Sequence, residues 1–407
     1  MATGPGHNGG VPAPSITVRG GHPDFLDLDW EQPMVEWDTG RRLELPKGIS
    51  RHEVHFFAYD TGIYAIKELP RAPARHEHET LRTLEAMGAP TVRPVGIVER
   101  PWVDPTEETA AAVITAYLNH AFSYRELVSG WGFGERRNQM LDAFAGLLVE
   151  LHLRGVYWGD CSLSNVLYRY DAGAIEVTMV DAETARLYPE LSRGQREDDL
   201  AIMEINVAGG MADIAASRGA SLDDADLSLG EDVADRYRAL WDELTGDALI
   251  GRNERYRITD RVRRLNELGF EVGDLQLVPA PAGDLLKMRL VVGSRQFHTR
   301  RLRELTGVDA SEQQARQILS DLDRYLADGT TPSGKPIGAI RWRVEVFEPL
   351  LERIRALPSL HTTDPVQAFC DFLHHRYVIS AQRHLDVSNE DAFEDWVAAG
   401  QPGYPLA

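Results

Sequence analysis

The spacing of hydrophobic and polar residues predicts two strands in the first hundred residues. The stretch "RHEVHFFAYDTGIYAIKEL" contains two apolar runs, Val54–Tyr59 and Ile63–Leu69. The tripeptide Asp60-Thr61-Gly62 between them is rich in turn-forming residues, which favours a hairpin. We therefore expect two neighbouring antiparallel strands here.

A helix and further strands follow this hairpin. In "ARHEHETLRTLEAMG" the apolar residues Leu81, Leu84 and Met87 recur at helical spacing. "VRPVGIVER" and "AAVITAYL" are then apolar runs typical of strands. Strands, one helix and more strands predict a small α+β lobe, which we place at residues 25–118.

The pattern becomes helical over residues 119–248. In "RNQMLDAFAGLLVELHLRG" five apolar residues form one stripe of a buried helix: Met140, Phe144, Leu147, Leu148 and Leu151. Two short strand-like runs, "NVLYRY" and "EVTMVDAE", are joined by Asp171-Ala172-Gly173, a typical hairpin turn. "DDLAIMEINVAGGMADI" predicts another helix, so we expect a second, mostly helical lobe.

The two ends of the chain differ from these lobes. Residues 1–24 begin with a Gly/Pro-rich stretch and are expected to form a disordered tail. Beyond residue 249 the chain is Arg-rich, and "SEQQARQILSDLDRYLAD" opens with the capping-box pair Ser311 and Gln314. We expect an additional, mostly α-helical C-terminal domain at residues 249–407 of a chain that is α+β overall.

Composition is that of an ordinary globular protein, with 407 residues, 43% hydrophobic and 26% charged. No apolar run approaches the ~18 residues of a membrane helix, so we expect no membrane insertion. Cys161 and Cys370 are the two cysteines, too few for a disulfide framework or a cysteine zinc site. A cytoplasmic location fits best.

The formal net charge of −20 disfavours non-specific binding to nucleic acid. The charge is uneven, because Arg252–Arg303 contains twelve Lys/Arg against six Asp/Glu. The simpler interpretation is a solvated surface whose basic residues pair with acids. The alternative is a local patch for phosphate-bearing partners such as RNA.

Candidate chemistry lies at the edges of the second hairpin, in "WGDCSLSNVLYRYDAGAIEVTMVDAETA". Asp160 and, five residues on, Asn165 precede its first strand, and Asp181 ends its second strand. Transfer of a phosphoryl group from ATP needs a carboxylate at the acceptor hydroxyl and oxygen ligands for Mg²⁺. These three residue types at one edge suit that chemistry.

Two residues of the first lobe complete the set. Lys67 closes "YAIK" at the end of a predicted strand, and Glu77 lies on the next predicted helix. Leu81 and Leu84, at +4 and +7 from Glu77, would turn the same face of that helix toward the core. The order Lys, Glu, Asp-x4-Asn, hairpin, Asp is more specific than any one of its parts.

This ordered pattern resembles the protein-kinase-like superfamily over roughly residues 40–220. "YAIK" is similar to the V-A-I-K strand of protein kinases, Asp160 to Asn165 to their D-x-x-x-x-N catalytic loop, and Asp181-Ala182-Glu183 stands where D-F-G begins. "GISRHEVHF" and "WGDCSLSNVL" resemble more closely an uncharacterised bacterial kinase-like family with a C-terminal domain of unknown function.

The resemblance implies a two-lobed kinase fold that binds ATP and Mg²⁺ between its lobes. It implies that Asp160 orients the acceptor hydroxyl and accepts its proton. Asn165 and Asp181 would hold Mg²⁺, and Lys67 would contact the α/β-phosphates with Glu77 as its ion-pair partner. The family's acceptor is not known.

Four further residues are expected to contact the nucleotide. "KGISRHE" takes the place of the glycine-rich phosphate loop, with backbone amides near Gly48, Ser50 and Arg51 as its candidate contacts; an ordinary turn explains the stretch equally well. "VITAYL" resembles the strand before the kinase hinge, which places Tyr117 beside the nucleotide.

Departures from protein kinases favour a small, non-protein hydroxyl acceptor. Gly159-Asp160 is closer to the catalytic loop of lipopolysaccharide kinases and of phosphotransferases that act on aminoglycosides or choline. Ser162 stands where protein Ser/Thr kinases have a Lys, and no A-P-E follows Asp181. Folded protein substrates usually need a platform in that segment.

Two other functions stay open. The chain could be a pseudokinase that binds nucleotide and signals through its C-terminal domain, which the unusual phosphate loop favours. It could also be a kinase-fold ATPase or kinase that acts on RNA or a ribonucleoprotein through Arg252–Arg303. The sequence decides neither the acceptor nor the oligomeric state.

Overall fold

The structure is a computed structural model of the 407-residue chain. It describes residues 13–45, 52–124, 136–219, 224–251, 253–280, 285–327, 335–358, 362 and 364–404. The described residues group into two compact units. The first is drawn from Met1–Phe133, Met140–Arg169 and Val177–Tyr237, and the second from Gly134–Gln139, Tyr170–Glu176 and Arg238–Ala407.

The first unit begins with a six-stranded antiparallel sheet and one long helix, α1 (Arg71–Ala86). The strand order is β1-β5-β6-β4-β3-β2. The strands are β1 (Ser15–Val18), β2 (Arg42–Leu43), β3 (Val54–Tyr59), β4 (Gly62–Leu69), β5 (Pro94–Glu99) and β6 (Ala111–Ala116). The predicted hairpin is confirmed, with Val54 opposite Lys67 and Tyr59 opposite Gly62.

Alternation along β4 gives the sheet two different faces, because successive side chains of a strand point to opposite sides. Tyr64 and Ile66 pack into a core formed with the N-terminal segment 25–37. That segment contributes five buried side chains: Phe25, Leu28, Trp30, Met34 and Trp37. Leu69, on the other face, packs with Ala74 of α1. The N-terminal segment therefore covers one face, and α1 covers part of the other.

The predicted disordered tail at 1–24 is wrong for residues 13–24. Strand β1 pairs with β5, with Ser15 opposite Glu99 and Val18 opposite Gly96. Four residues of modest hydrophobicity carry little periodicity, so the pairing partner 80 residues away decides their structure. Residues 1–12 lie outside the described part of the chain.

A buried ion pair fixes the N-terminal segment on the sheet. Arg100 Nη1 lies 2.6 Å from Glu68 Oε1, and both side chains are almost fully buried. The carboxylate also accepts from the backbone N–H of Met34, and the guanidinium donates to the carbonyls of Trp30 and Gln32. Loss of Arg100 would leave the Glu68 carboxylate and two backbone carbonyls without this donor, and loss of Glu68 would leave the guanidinium and the Met34 N–H without this acceptor.

The described part of the segment 121–245 is mostly helical, and it includes residues 136–139, 170–176 and 238–245 of the second unit. Its helices are α2 (Arg136–Leu153), α3 (Arg193–Arg218), the short α4 (Asp224–Leu227) and α5 (Leu229–Thr245). Its strands are β7 (Ala121–Phe122), β8 (Val156–Tyr157), β9 (Val166–Asp171), β10 (Ala174–Met179) and β11 (Arg186–Leu187). The predicted apolar stripe of α2 is buried throughout, and the predicted hairpin is β9–β10.

A buried polar network holds the loop between β8 and β9. Asp199, near the start of α3, accepts from the backbone N–H groups of Trp158 and Gly159 at 2.7 and 2.8 Å. His152 Nε2 lies 3.0 Å from Asp199, and its Nδ1 lies 2.7 Å from the Tyr237 hydroxyl. A neutral imidazole that donates to the carboxylate and accepts from the hydroxyl satisfies all of these contacts.

The pKa values of the pair agree with a neutral His152 and an ionised Asp199. Burial lowers the pKa of His152 below its ordinary value of 6.5, and the Asp199 carboxylate only partly opposes this. Burial alone would raise the pKa of Asp199, but its hydrogen bonds from His152, Trp158 and Gly159 lower it below 3.8.

Helix α3 is the one helix in the described part of the chain with the length and composition of a membrane span, over Arg193–Ser217. Leu200, Met203 and Val207 on this helix are buried in the protein core. Core helices of folded domains meet the same criteria, so length and composition are weak grounds for a span.

The second unit has a three-stranded sheet besides its helices. The strand order is β12 (Ala248–Gly251), β14 (Leu285–Val292), β13 (Val272–Pro279). The helices are α6 (Arg255–Glu267), α7 (Phe297–Thr306), α8 (Glu312–Ala327), α9 (Lys335–Trp342), α10 (Glu348–Arg355), α11 (Pro365–Arg383) and α12 (Asn389–Ala398), with a π-helical turn at Arg343–Phe347. The mostly helical character is confirmed, although the sheet was not predicted.

One of the two hydrogen bonds of the predicted capping box is present at the start of α8, where the backbone N–H of Ser311 donates to Gln314 Oε1 at 3.3 Å. Asp171, in the part of the hairpin that belongs to this unit, accepts from the Ser311 hydroxyl at 2.6 Å and from the backbone N–H of Gln313 at 3.3 Å.

Most basic side chains of Arg252–Arg303 are paired within the second unit. Eight form ion pairs with acids: Arg257, Arg263, Arg264, Lys287, Arg289, Arg300, Arg301 and Arg303. Arg261 and Arg295 donate to backbone carbonyls. The local positive charge is therefore largely offset, which favours the simpler of the two interpretations.

Replacing Arg100 by Ala should destabilise the protein by roughly 3–5 kcal/mol, because the Glu68 carboxylate stays buried without its partner. Urea unfolding measures this. Arg75→Ala is the matched control, since the Arg75–Glu99 ion pair lies at the surface of the same lobe, and it should change stability much less. Equal effects of the two variants would contradict a special role of the buried pair.

Stability should fall as the pH drops from 7 to 5, in part because of His152. Its folded pKa lies below 6.5, so below that pH the unfolded chain binds a proton that the folded chain does not. Asp199 adds a further loss only below about 3.8. His152→Gln should lower stability at pH 7 but give a shallower dependence on pH. Parallel curves for the two proteins would disprove the contribution of His152.

Candidate active site

The structure brings Lys67, Glu77 and Asp181 together from three separate elements. Lys67 Nζ, on β4, lies 3.1 Å from Glu77 Oε2 on α1. It lies 3.0 Å from Asp181 Oδ2, which follows β10. Glu77, Leu81 and Leu84 are all buried, whereas Glu79 is exposed. Glu77 shares the buried face of α1 with Leu81 and Leu84, so Glu77, and not Glu79, contacts Lys67.

The charges at this cluster shift the pKa values of its members. Burial by itself lowers the pKa of Lys67, but the charges of Glu77 and Asp181 outweigh it and hold that pKa above the ordinary value. Burial raises the pKa of Glu77 to about 7, and Asp181 and Glu183 act in the same direction. The site therefore carries more negative charge than Lys67 neutralises.

Backbone contacts fix Asp181 at the base of the hairpin. Met179 exchanges hydrogen bonds with the first lobe, donating to Pro90 and accepting from Val92. The Trp158 indole donates to the carbonyl of Asp181 at 2.9 Å. The backbone N–H of Val180 donates to the carbonyl of Asn165 at 3.0 Å, which sets the two candidate metal ligands side by side.

Asp160 and Asn165 lie on one loop, at hydrogen-bond distance. Asn165 Nδ2 donates to the Asp160 carbonyl at 2.9 Å and to Asp160 Oδ2 at 3.2 Å. Asp160 is exposed, as a residue that receives a substrate must be. The three-residue 3₁₀ turn Leu163–Asn165 brings the two ends of the D-x4-N sequence together.

A cavity adjoins these side chains within the first unit. Lys67, Glu77, Asn165 and Asp181 line its polar end. Its other walls are mainly apolar and come from the sheet and from the strand β9, including Val54, Ala65, Val113, Tyr117 and Val166. One polar end and apolar walls suit a ligand with a charged group and a flat apolar ring.

Tyr117 is in the cavity wall, as predicted for a residue beside the nucleotide. Its backbone N–H donates to the carbonyl of Ile63 at 2.9 Å, and its ring meets that of Phe56 edge to face. The side chain and the neighbouring carbonyls are therefore the groups of this residue that could meet a ligand.

The predicted phosphate-loop residues Gly48, Ser50 and Arg51 lie outside the described residues. The next residue, His52, is buried and was not singled out from the sequence as a partner of the DAE segment. One ring nitrogen lies 2.6 Å from Glu108 and the other 2.8 Å from Glu183. Glu183 also lies 3.7 Å from Lys67.

The residues present fit a divalent cation with oxygen ligands. Mg²⁺ prefers carboxylate and amide oxygens and keeps other positions for water and phosphate. Asp181 and Asn165 supply two such groups at one end of the cavity, where negative charge is in excess. No group of three or more His, Cys, Asp or Glu with metal-binding geometry occurs among the described residues.

One partner of Asp160 was missed by the sequence analysis. Asn206 Nδ2, on α3, donates to Asp160 Oδ1 at 2.9 Å and to the Cys161 carbonyl at 3.1 Å. Asn206 lies seven residues after Asp199, which is two turns along the same helix face. That spacing was the available clue, once Asp199 was placed beneath the catalytic loop.

Two family models match the sequence. The lipopolysaccharide kinase (Kdo/WaaP) family matches residues 61–219. A domain of unknown function (DUF4032) matches residues 239–400, which begins ahead of the predicted domain boundary at residue 249. No curated protein matches the chain.

Two solved structures illustrate the likeness to known folds. WaaP in complex with acyl carrier protein shares 19% identity, with 56% of this chain and 88% of that chain covered and a TM-score of 0.35. The Rio2 kinase-ADP/Mg²⁺-phosphoaspartate complex from Chaetomium thermophilum shares 12% identity, with 49% and 69% covered and a TM-score of 0.31. These scores are too low to support conclusions about the site.

The kinase family match covers Lys67, Glu77, Asp160, Asn165 and Asp181, and four of these, Lys67, Glu77, Asn165 and Asp181, line one cavity of the first unit. The match supports a kinase-like phosphotransferase. The predicted resemblance is therefore confirmed: one region of the chain is similar to a kinase family, and the region after it is similar to the DUF4032 family.

Proposed function

We propose that the protein transfers the γ-phosphoryl group of ATP to a hydroxyl group of a small, non-protein acceptor. The observation that carries this proposal is the convergence of five side chains from four separate places in the sequence. Lys67, Glu77 and Asp181 form one contact cluster, and Asp160 and Asn165 form another at the base of the same hairpin.

Each side chain has a role that its surroundings support. Lys67 would bind the α/β-phosphates, and Glu77 would keep its ammonium directed into the cavity. Asp160, exposed on its loop, would orient the acceptor hydroxyl and take its proton. Asn165 and Asp181 would hold Mg²⁺, which would offset the negative charge of the phosphates. The apolar cavity wall with Tyr117 would receive the adenine ring.

Features of the catalytic loop support a small acceptor. Ser162 is buried, and a serine at this place has no cation to offer a phosphorylated protein loop. The segment from Glu183 to the start of α3 at Arg193 is short and includes β11, which pairs with β8. A segment tied down in this way leaves little room for the platform that a folded protein substrate needs.

The competing functions make different predictions. A pseudokinase would bind Mg·ATP without turning it over. The retention of all five side chains disfavours it. An RNA-directed enzyme would need exposed, unpaired cations, and the ion pairs of the Arg252–Arg303 region disfavour that.

Asp160→Asn and Asp181→Asn should affect different steps. Loss of a positioned base typically costs 10²–10⁴-fold in rate, so Asp160→Asn should abolish most ATP turnover while Mg·ATP still binds. Asp181→Asn should weaken nucleotide binding in Mg²⁺ but change it little in EDTA. Turnover of γ-labelled ATP, with water and with a small-molecule cell extract as acceptors, and a binding titration on the same samples measure both effects.

The wild-type protein decides between the proposal and its main competitor. If it binds Mg·ATP and transfers no label to water, to itself or to any extract component, the phosphotransfer proposal is wrong. A label found mainly on proteins would contradict the small acceptor while keeping the reaction.

Glu77→Gln should weaken turnover and nucleotide binding, because Lys67 loses the charge that directs it into the cavity. Glu79→Gln is a close control, since Glu79 is exposed on the same helix two residues away. We expect at least a tenfold loss of kcat/KM for Glu77→Gln and less than a twofold change for Glu79→Gln. Similar values for the two variants would show that the Lys67–Glu77 contact has no functional role.

A further inference from the structure

We propose that Asn206 is a positioning residue that holds the Asp160 carboxylate in the orientation needed for phosphotransfer. This inference rests on the proposed function, because it concerns how the same site works. It starts from the contact of Asn206 Nδ2 with Asp160 Oδ1 at 2.9 Å. Asn206 belongs to helix α3, outside the catalytic loop and outside the candidate metal ligands.

Helix α3 contacts the catalytic loop at two points on one face. Asp199 accepts from the backbone N–H groups of Trp158 and Gly159. Asn206 lies seven residues further on, which is about 20° from the same direction on a helix of 3.6 residues per turn. Met203, between them on that face, is buried. Asp199 therefore fixes the backbone of the loop, and Asn206 fixes the side chain of its exposed aspartate.

The chemistry of the contacts assigns the orientation of the Asn206 amide. Its second contact is the carbonyl oxygen of Cys161 at 3.1 Å. Both partners of the atom are acceptors, so it must be the NH₂ group, which offers two protons. Exchanging the amide oxygen and nitrogen would oppose an oxygen to a carboxylate and to a carbonyl. The NH₂ group of Asn206 therefore donates both of its hydrogen bonds to the loop that carries Asp160.

The hydrogen bond from Asn206 orients the Asp160 carboxylate without involving a candidate metal ligand. Asn165 Nδ2 contacts the other carboxylate oxygen, Oδ2, but Asn165 is also a candidate metal ligand through its amide oxygen. A donor that takes no part in metal binding keeps Oδ1 in place whatever Asn165 does. Since both of these donors are uncharged, they orient the carboxylate without neutralising it.

A neutral donor also suits the catalytic loop of this chain. Ser162 stands where protein Ser/Thr kinases have a Lys, so a lysine side chain from that position is not available to Asp160. A hydrogen bond from a neutral donor fixes the direction of a carboxylate and leaves its charge in place. Asn206 should therefore hold Asp160 where it can meet an acceptor hydroxyl.

The test compares Asn206→Ala and Asn206→Asp with the wild type and with Asp213→Asn. Asp213 is exposed on the same helix and serves as the control. We expect Asn206→Ala to lower kcat by ten- to a hundredfold, the size of a small misplacement of a reacting group, with KM for ATP changed less than about twofold. Asn206→Asp, which opposes two carboxylates, should lower kcat at least as far.

A purely structural role would give another result. Asn206→Ala would then lower the thermal midpoint and leave kcat per folded molecule unchanged, which would overturn the proposal. Asn206→Gln provides a further check. It keeps the amide, so partial recovery of kcat relative to Asn206→Ala supports a directed hydrogen bond, and no recovery contradicts it.

A readout without turnover separates this inference from the proposed function. With ¹⁵N-labelled asparagine, Asn206→Ala identifies the side-chain NH₂ resonance of Asn206 in the wild-type spectrum. Asp160→Ala should shift that resonance and speed the exchange of its protons with water, whether or not ATP is consumed, whereas Asp213→Asn should leave it unchanged. A resonance that does not respond to Asp160→Ala overturns the role of Asn206 even in an active enzyme. An inactive wild type whose resonance does respond refutes phosphotransfer but keeps the contact of Asn206 with Asp160.

Discussion

Ion pairs to the ammonium group of Lys67 hold together the elements of the first unit that surround the cavity. Glu77 and Asp181 lie within 3.1 Å of this ammonium group, and Glu183 lies at 3.7 Å. One residue belongs to helix α1 and two belong to the segment after β10, so the sheet, the helix and the hairpin meet at a single cation. Burial makes each of these charges costly without the others, which ties the geometry of the cavity to the stability of the lobe that carries Lys67.

A second constraint acts from below the catalytic loop. Asp199 and His152 are buried and hydrogen-bonded to each other. Asp199 also accepts hydrogen bonds from the backbone N–H groups of Trp158 and Gly159, which fixes the backbone there. Helix α3 thus supports the loop that carries Asp160 and Asn165, while backbone contacts of Met179 attach the loop with Asp181 to the first lobe. The two halves of the site are held by separate parts of the same unit.

Hydrophobic periodicity and turn residues predicted those helices and strands that are determined by their own stretch of sequence. The β3–β4 hairpin, α1, α2 and the β9–β10 hairpin follow from period-2 and period-3.6 alternation and from turn residues between them. Glu77 could be chosen over Glu79 because the leucine spacing fixes which face of α1 is buried. Strand β1 and the covering segment at 25–37 could not be found this way, because their order comes from the sheet and from the Glu68–Arg100 pair.

The sequence by itself determined which chemical groups are present, their order along the chain and the elements that carry them. It identified Lys67, Glu77, Asp160, Asn165 and Asp181 as candidates because their spacing matches their secondary structure. Only the tertiary structure decided which side chains meet across long separations. His52 with Glu183 and Asn206 with Asp160 are 131 and 46 residues apart, and no local periodicity encodes such contacts. They arise when helix α3, the hairpin and the first lobe pack together, since packing alone sets the distance between side chains on different elements.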